Sequence, residues 1–380
     1  MRWLWLGLVA VWVWGCGSQP VKPVVDAVPK AVSVVPEGAQ RAPEGWSFYA
    51  YEGAVSPDGR WTVSWGYADM DARSDLRVWD NTAGRLKWDL RGGWDPEESI
   101  SPTGVGFASD GSMMAVADSM NAVHVVEVAS GALVASYPVL YIEGDTNVHF
   151  SPDGRFVVVQ GDFGTVYVID LKEKGAAAVK SVSLEADMPL AVKIHASGPI
   201  FHVLDAGGRL WEVDFEQVQL APGGLLGPEG LVMGRFGAGD TLLTAQYEDD
   251  ALVYLIWQME AMGLPTLMER VVAVHMGRTM VAFVDGEKGV VGLWALAGAK
   301  RGAQIKAPDN GWSQDSGACL AFSPDDRWLW ACGTGGVVRT RTEGQVSWET
   351  VGGEGEVSLV VPLNDGRAWC FGPDGAAELR

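Results

Sequence analysis

The sequence is short of positive charge, and this shortage narrows the range of partners. Its 380 residues contain 28 Lys and Arg against 48 Asp and Glu, which gives a net charge of −20 at pH 7. Nucleic acids and anionic membrane surfaces attract proteins through basic patches. We therefore expect no nucleic-acid partner and no direct membrane binding. This charge is compatible with a basic protein or peptide as the partner. The alternative is that the acidic residues serve only to keep the protein soluble.

The common motifs of enzyme chemistry are also missing. The sequence has no Gly-rich phosphate loop, no GxSxG elbow, no CxxC pair and no HExxH motif. Only five His and four Cys are present, and no general base has an evident partner. We therefore predict that the protein is not an enzyme and that it holds no cofactor and no metal.

Long apolar runs are absent beyond the N-terminus. Trp3–Trp14 is an apolar run of about 12 residues, which as a helix would span about 18 Å of a bilayer core that is about 30 Å thick. With Arg2 before it, the run is typical of an export signal rather than of a spanning helix. We assign residues 1–15 to a signal peptide. The stretch Val13-Trp14-Gly15-Cys16 resembles the bacterial lipobox, although Trp14 stands where a small residue is usual.

The lipobox resemblance implies that Cys16 is lipidated. Cleavage near Gly15–Gly17 without lipidation, giving a soluble secreted form, is the alternative. Gly17 stands where inner-membrane lipoproteins have Asp, so the resemblance implies the outer membrane or the cell surface. Residues 16–45 contain five Pro, no aromatic residue and no apolar periodicity, which predicts a flexible tether.

High Gly content, 49 residues, accompanies a repeated turn in the rest of the chain. In such a turn Pro presets φ, Asp caps the turn and Gly takes positive φ. Each copy lies between short apolar or alternating runs, and a third and a fourth run follow. The clear copies are Ser56-Pro57-Asp58-Gly59, Ser151-Pro152-Asp153-Gly154 and Ser323-Pro324-Asp325-Asp326; weaker copies begin at Ala108, His195, Ala238, His275 and Asn364.

The repeat spacing of about 44 residues equals the length of a four-stranded propeller blade. Third runs such as Leu76-Arg77-Val78-Trp79-Asp80 resemble the WD signature. Residues 46–380 thus resemble WD40-like repeats, which implies an all-β propeller of four-stranded antiparallel blades. Eight blades are favoured, and seven are the alternative. The last repeat has only three runs, so we expect Trp46–Ala50 to supply its outer strand and close the ring.

His149, His195 and His275 occupy equivalent places near the ends of the innermost strands. A shared metal or proton site is one interpretation, and we favour half-buried His at a tolerant position.

Cys319 and Cys332 flank the Ser323 turn. A disulfide requires Ser323 to pair with Trp328, which places the two Cys opposite each other. We favour two buried free thiols over this bond. Cys370 has no evident partner.

One face of the predicted ring gathers the connections between second and third strands and those between blades. These connections are the longest and most acidic, and two contain Trp, a residue enriched at binding hot spots. The alternative is that both Trp pack on the core and the acids are merely solvated. The candidate interaction residues are Asp69, Asp71, Asp75, Trp94, Asp95, Glu97, Glu248, Asp249, Trp312 and Asp315.

Together these features predict a non-catalytic interaction scaffold. It would be an exported, lipid-anchored, monomeric propeller that binds a protein or peptide. A propeller lipoprotein of the outer-membrane assembly machinery has a similar layout, which makes envelope assembly an alternative. An exported propeller hydrolase such as a lactonase is another, because a fold alone does not decide function.

Overall fold

A computed structural model describes most of the chain after the tether. All of these residues belong to one compact unit, Ser33–Arg380. The predicted signal peptide, Cys16 and most of the tether lie outside the described residues. The described residues are 40–41, 50–67, 74–91, 94, 100–140, 142, 146–161, 163–184, 188–195, 198–225, 230–236, 241–248, 251–258, 266–268, 273–285, 289–296, 300–307, 320–333, 336–344, 346–352, 357–372 and 375–379.

The described strands form eight four-stranded antiparallel sheets, which confirms the prediction of eight blades. Blades 1 to 4 are β2–β5 (Ala50–Val55, Trp61–Tyr67, Ser74–Asp80, Arg85–Arg91), β6–β9 (Pro102–Phe107, Met113–Asp118, Ala122–Glu127, Leu133–Pro138), β10–β13 (Val148–Phe150, Phe156–Gln160, Thr165–Asp170, Val179–Ser183) and β14–β17 (Pro189–Ile194, Ile200–Asp205, Arg209–Asp214, Leu220–Leu225). Blades 5 to 8 are β18–β21 (Leu231–Phe236, Thr241–Glu248, Ala251–Gln258, Thr266–Met268), β22–β25 (Ala273–Met276, Met280–Asp285, Val290–Ala295, Lys300–Lys306), β26–β29 (Leu320–Phe322, Trp328–Gly333, Gly336–Arg341, Glu349–Gly352) and β30–β32 (Leu359–Pro362, Ala368–Gly372, Gly375–Leu379) with β1 (Gln40–Arg41) as the outer strand. A 3-10 turn at Gly175–Ala178 precedes β13.

The repeated Ser-Pro-Asp-Gly turn forms the hairpin between the first and second strands. In blade 3, Ser151 Oγ donates to Asp153 Oδ1 at 2.6 Å and accepts the Phe156 N–H at 2.8 Å. Gly154 has φ of 69°, a conformation that Gly adopts at low cost. The copies at Ser56 and Ser323 have the same serine contacts. The turn mechanism inferred from the sequence is therefore confirmed, with the serine as an additional member.

The first strands of neighbouring blades lie innermost and contact one another, for example β10 with β14, β14 with β18, and β30 with β2. Each of eight apolar clusters joins two consecutive blades, and one of them joins blade 8 to blade 1. In that cluster Trp79 lies 4.7 Å from Trp369 between ring centroids. Burial of these faces on both sides of every sheet is the main stabilisation of the ring.

The predicted outer strand of blade 8 is not where we expected it. Gln40–Arg41 pairs with β32 through Ala376 and Gly375, whereas Ala50 begins the innermost strand of blade 1 and pairs with Gly66. Trp46–Tyr49 lie outside the described residues. Blade 8 is joined to blade 1 chiefly by side chains: Trp369 Nε1 donates to Asn81 Oδ1 at 2.8 Å, and Arg367 Nη1 donates to Asn81 O at 3.0 Å.

Cys332 is disulfide-bonded, so our preference for a free thiol at this position is wrong. Cys370 is free and buried. Ser323 N–H donates to Trp328 O at 2.9 Å, and Leu320 pairs with Ala331. This is the register that the bond requires. Cys319 lies outside the described residues, and its identity as the partner of Cys332 stays a prediction.

Within the part of the chain that the structure describes, no helix is both long and apolar enough to cross a membrane.

Candidate interaction face

The ring has two faces that differ in their connections. We call the first the turn face; it contains the hairpins between first and second strands and those between third and fourth strands. Asn81 N–H, for example, donates to Arg60 O across two such hairpins. We call the second the loop face; it contains the turns between second and third strands and the connections between blades. Val139 N–H donates to Asn121 O, and Ala206 N–H donates to Met188 O, across such segments.

Four large apolar side chains are exposed on the loop face of three consecutive blades. They are Met120 (65 % exposed), Leu140 (63 %), Phe163 (72 %) and Met188 (54 %). We call these four residues the apolar patch. The other large apolar side chains that are exposed in the described part of the chain all lie in strands: Leu133, Val134, Leu225 and Val232. Exposed apolar surface concentrated on loops is typical of a site that binds a partner.

Local hydrogen bonds fix the backbone on which Met120 lies. The buried carboxylate of Asp118 accepts the N–H groups of Ser101 at 2.8 Å and Met120 at 3.1 Å. Asn121 follows with φ of 65°, a conformation that Asn tolerates better than most residues. These contacts hold Met120 at the tip of a tight turn, where it points away from the core.

The four patch residues are linked across the blades. Ile142 N–H donates to Asn121 Oδ1, which places the Leu140 segment beside the Met120 turn. Tyr167 Oη, in the blade 3 strand that follows Phe163, donates to Leu140 O. Gln160 Nε2, in the strand that precedes Phe163, donates to Pro189 O next to Met188. These hydrogen bonds join the segments that contain the four residues, and the patch extends over the loop face of blades 2 to 4.

Trp94, predicted as an exposed anchor, is half-buried. It packs against the cluster between blades 1 and 2, its ring lies 4.8 Å from that of His124, and its Nε1 donates to Gly131 O at 3.2 Å. This placement matches the alternative in which the Trp packs on the core. We therefore do not include Trp94 among the anchors of the interaction face.

Two predicted acidic loop residues lie in strands. Asp75 is in β4 opposite Gly66, and Glu248 ends β19 opposite Ala251. The loops are thus shorter than the sequence suggested, because pairing continues to the ends of these hairpins. The remaining candidates lie outside the described residues, and their role stays a prediction; they are Asp69, Asp71, Asp95, Glu97, Asp249, Trp312 and Asp315.

The charged groups of the turn face are largely paired with one another. Arg155 bridges two blades, because its guanidinium binds Asp170 of blade 3, with Nε 3.1 Å from Oδ1, and Glu216 of blade 4. Arg155 and Glu216 line a cleft together with Phe156, Pro199 and Phe215. Arg367 of blade 8 likewise binds Asp365 and Glu378. Because these arginines and carboxylates already bind one another, they are less available to a partner than the exposed side chains of the apolar patch.

The interpretation of His149, His195 and His275 as a shared metal site, which we did not favour, finds no support among the described residues. The ring of His149 in β10 is desolvated, which lowers its pKa to about 4. His275 in β22 lies 5.9 Å from Phe322 between ring centroids. His195 instead hydrogen-bonds His202, with 2.8 Å between Nε2 and Nδ1. Among the described residues, no group of three or more His, Cys, Asp and Glu side chains is placed to hold a metal ion.

Sequence reasoning did not identify the apolar patch. A single apolar residue in a loop is a weak signal, since many exposed positions in proteins are apolar. The signal available in the sequence was the recurrence of such residues in consecutive connections of the same type. That recurrence becomes visible only once the strand boundaries are known.

Solved β-propeller structures are similar to this chain. One is the β-propeller domain of Cps50 (Swd1) from Myceliophteria thermophila, with a TM-score of 0.54, 13 % identity and coverage of 77 % of this chain and 95 % of that one. Another is BamB from Moraxella catarrhalis, with a TM-score of 0.56, 14 % identity and coverage of 87 % and 98 %. No family model matches the chain, and no curated protein matches it in sequence. At these identities the similarity establishes the propeller fold alone.

Proposed function

We propose that this protein is a non-catalytic scaffold that binds a protein or peptide through the loop face of blades 2 to 4. The observation that supports this function is the apolar patch, whose four exposed side chains stand on hydrogen-bonded backbone. Burying such side chains against a partner would remove apolar surface from water, which contributes about 25 cal/mol of favourable free energy per Å² buried. A backbone that is already ordered loses little conformational entropy on binding.

The partner that fits this face has basic as well as apolar residues. In the sequence, acidic residues adjoin three of the patch residues: Glu143 and Asp145 follow Leu140, Asp162 precedes Phe163, and Asp187 precedes Met188. Charges at the rim of an apolar contact mainly set association rate and partner choice. The net charge of −20 also attracts a basic partner, and this attraction acts over a longer range.

Lipidation of Cys16 would tether the propeller to an envelope membrane through residues 17–39, which precede β1 and would reach about 25 Å on average as a mixed coil. The partner would then be an envelope protein, which includes a component of an assembly machinery. Mass spectrometry of the mature N-terminus tests the anchor. A diacylglyceryl-modified Cys16 is the expected result, and an unmodified Cys16 would rule the anchor out.

Photo-crosslinking in native cells tests the binding face. The photoreactive phenylalanine analogue benzoylphenylalanine is introduced singly at Phe163 and at Leu140 of the apolar patch. A matched variant has it at Val134, which is 60 % exposed but lies in the outer strand β9. We expect both patch positions to crosslink to the same protein and the Val134 position to give no such product. Equal products at all three positions, or none at the patch, would contradict the proposed face.

A further inference from the structure

The contact between blades 4 and 5 has an unusually small apolar core. Its cluster contains only four buried side chains among the described residues, Ala191, Leu204, Leu231 and Leu242. The other seven blade contacts have larger clusters. A polar group of side chains occupies the end of this contact towards the turn face.

Strand pairing places these polar side chains on one face of blade 4. Lys193 pairs with His202, and His202 pairs with Glu212, so the three side chains point to the same side of the sheet. That side faces blade 5, because Lys193 Nζ lies 5.9 Å from the ring of Phe236 in β18. His195 follows the end of β14 and joins the group through His202.

The two imidazoles face each other through nitrogen atoms. His195 Nε2 lies 2.8 Å from His202 Nδ1, and the ring planes are nearly perpendicular, at 85°. The other nitrogen of His202, Nε2, lies 3.6 Å from Glu212 Oε1. A carboxylate behind a histidine is the usual second partner of a metal-ligating imidazole, since it orients the ring and raises its basicity. The Glu212 side chain is 47 % exposed, which leaves a path to solvent.

The 2.8 Å between the two nitrogens is a hydrogen-bond distance, and it is also compatible with binding of both nitrogens to one metal ion in place of the shared hydrogen. Two ligands at right angles, each about 2.0 Å from a metal, lie about 2.8 Å apart, whereas tetrahedral zinc would need about 3.3 Å. Right-angled nitrogen and oxygen coordination is favoured by Cu²⁺, which also binds such donors most tightly among the divalent first-row metals. For metal binding, both rings would rotate so that the nitrogen lone pairs point to one metal ion and no longer along the line between the two nitrogens.

We propose that His195 and His202 form a copper(II) site in which Glu212 orients His202 and water fills the other equatorial positions. The positive ammonium group of Lys193 lies near this site, and it weakens cation binding by repulsion. The net charge of −20 raises the local concentration of cations around the protein. This proposal does not depend on the proposed protein-binding function, since the two sites lie on different faces.

Electron paramagnetic resonance during titration of the full-length protein with CuSO4 tests this site. We expect one tetragonal Cu²⁺ per chain whose signal shows coupling to two nitrogens. His195→Asn and His202→Asn should each remove that signal, and His149→Asn, which changes a histidine outside the pair, should keep it. Thermal unfolding of each variant checks that the fold is retained.

Two further variants keep the test informative if a histidine variant fails to fold. Glu212→Gln should weaken Cu²⁺ binding about 10-fold, the lower end of the usual effect of such partners. Lys193→Met should strengthen binding. Absence of Cu²⁺ binding, a signal without two-nitrogen coupling, or unchanged binding in the His195→Asn/His202→Asn double variant would overturn the proposal.

Discussion

Buried imidazoles are the residues through which pH acts on this fold. Burial lowers the pKa of His149 to about 4, and burial together with nearby Arg235 lowers that of His275 to about 3. Burial, His195 and Lys193 also lower the pKa of His202, while Glu212 raises it. An imidazole in the unfolded chain has a pKa of about 6.5. Below that pH the unfolded state binds protons that the folded state excludes, so stability falls as pH falls.

His275 offers a direct test of this pH dependence. Its Nδ1 is buried and has no hydrogen-bond partner among the described residues, so His275→Leu should lose no hydrogen bond. Between about pH 5.5 and 4.5, the free energy of unfolding should fall by about 1.3 kcal/mol less per pH unit in the variant than in the unchanged protein. Denaturant unfolding at several pH values measures both slopes. Parallel slopes would show that His275 is protonated in the folded state.

Asp326 shows a residue role that the sequence did not reveal. It stands where the other clear turns have Gly, and it adopts φ of 58°. Its carboxylate accepts the Arg278 N–H at 2.7 Å and also binds Thr279, both in the neighbouring blade. The side chain therefore compensates its strained backbone with hydrogen bonds between blades. From the sequence, this position was only a departure from the repeat.

At the scale of elements, the Ser-Pro-Asp-Gly hairpin is a repeated stabilising unit. Ser56, Ser151 and Ser323 are buried, and each accepts a backbone N–H five residues later. Replacing any one with Ala would leave that donor unsatisfied. The three copies lie in blades 1, 3 and 7, which do not adjoin.

Each Ser→Ala variant should therefore lower the free energy of unfolding by about 1–2 kcal/mol. The triple variant should lower it by the sum of the three, to within about 0.5 kcal/mol. Ala108 occupies the serine position of a degenerate copy, with Gly111 at φ of 69°, so Ala108→Ser is the reverse control and should stabilise. Denaturant unfolding measures the five variants and the unchanged protein. If the Ser→Ala variants lose almost no free energy of unfolding, water replaces the serine hydroxyl.

The strands were predictable to the extent that their signals were local. Turn residues and alternating apolar residues gave the blades and their number, because both depend on neighbouring positions. Outer strands depend on distant pairing, and so the two residues of β1 were placed in the wrong part of the N-terminal segment. The limits of the acidic loops were also too wide, since hairpin pairing extends to Asp75 and Glu248.

At the scale of the whole molecule, the candidate site arises from the arrangement of blades. Met120, Leu140, Phe163 and Met188 are separated by up to two blades in sequence, yet the ring places all four on its loop face. The repeat spacing predicts the propeller fold. Identifying which face binds a partner requires the structure, because it depends on which side chains already have partners within the protein. On the turn face Arg155 and Arg367 are paired with carboxylates, whereas the loop face has exposed apolar side chains.

The central claim is that this apolar patch binds the partner. The most direct measurement is the Kd of the crosslinked partner for three forms of this protein. They are the unchanged protein, the Leu140→Ser/Phe163→Ser double variant and the control variant Val134→Ser. Truncating a hot-spot residue near the centre of an interface costs about 2 kcal/mol or more, which is about 30-fold in Kd. We predict a loss of at least about 30-fold for the double variant, and a change of less than about 3-fold for Val134→Ser, with equal melting temperatures. Unchanged affinity in the double variant would contradict the account.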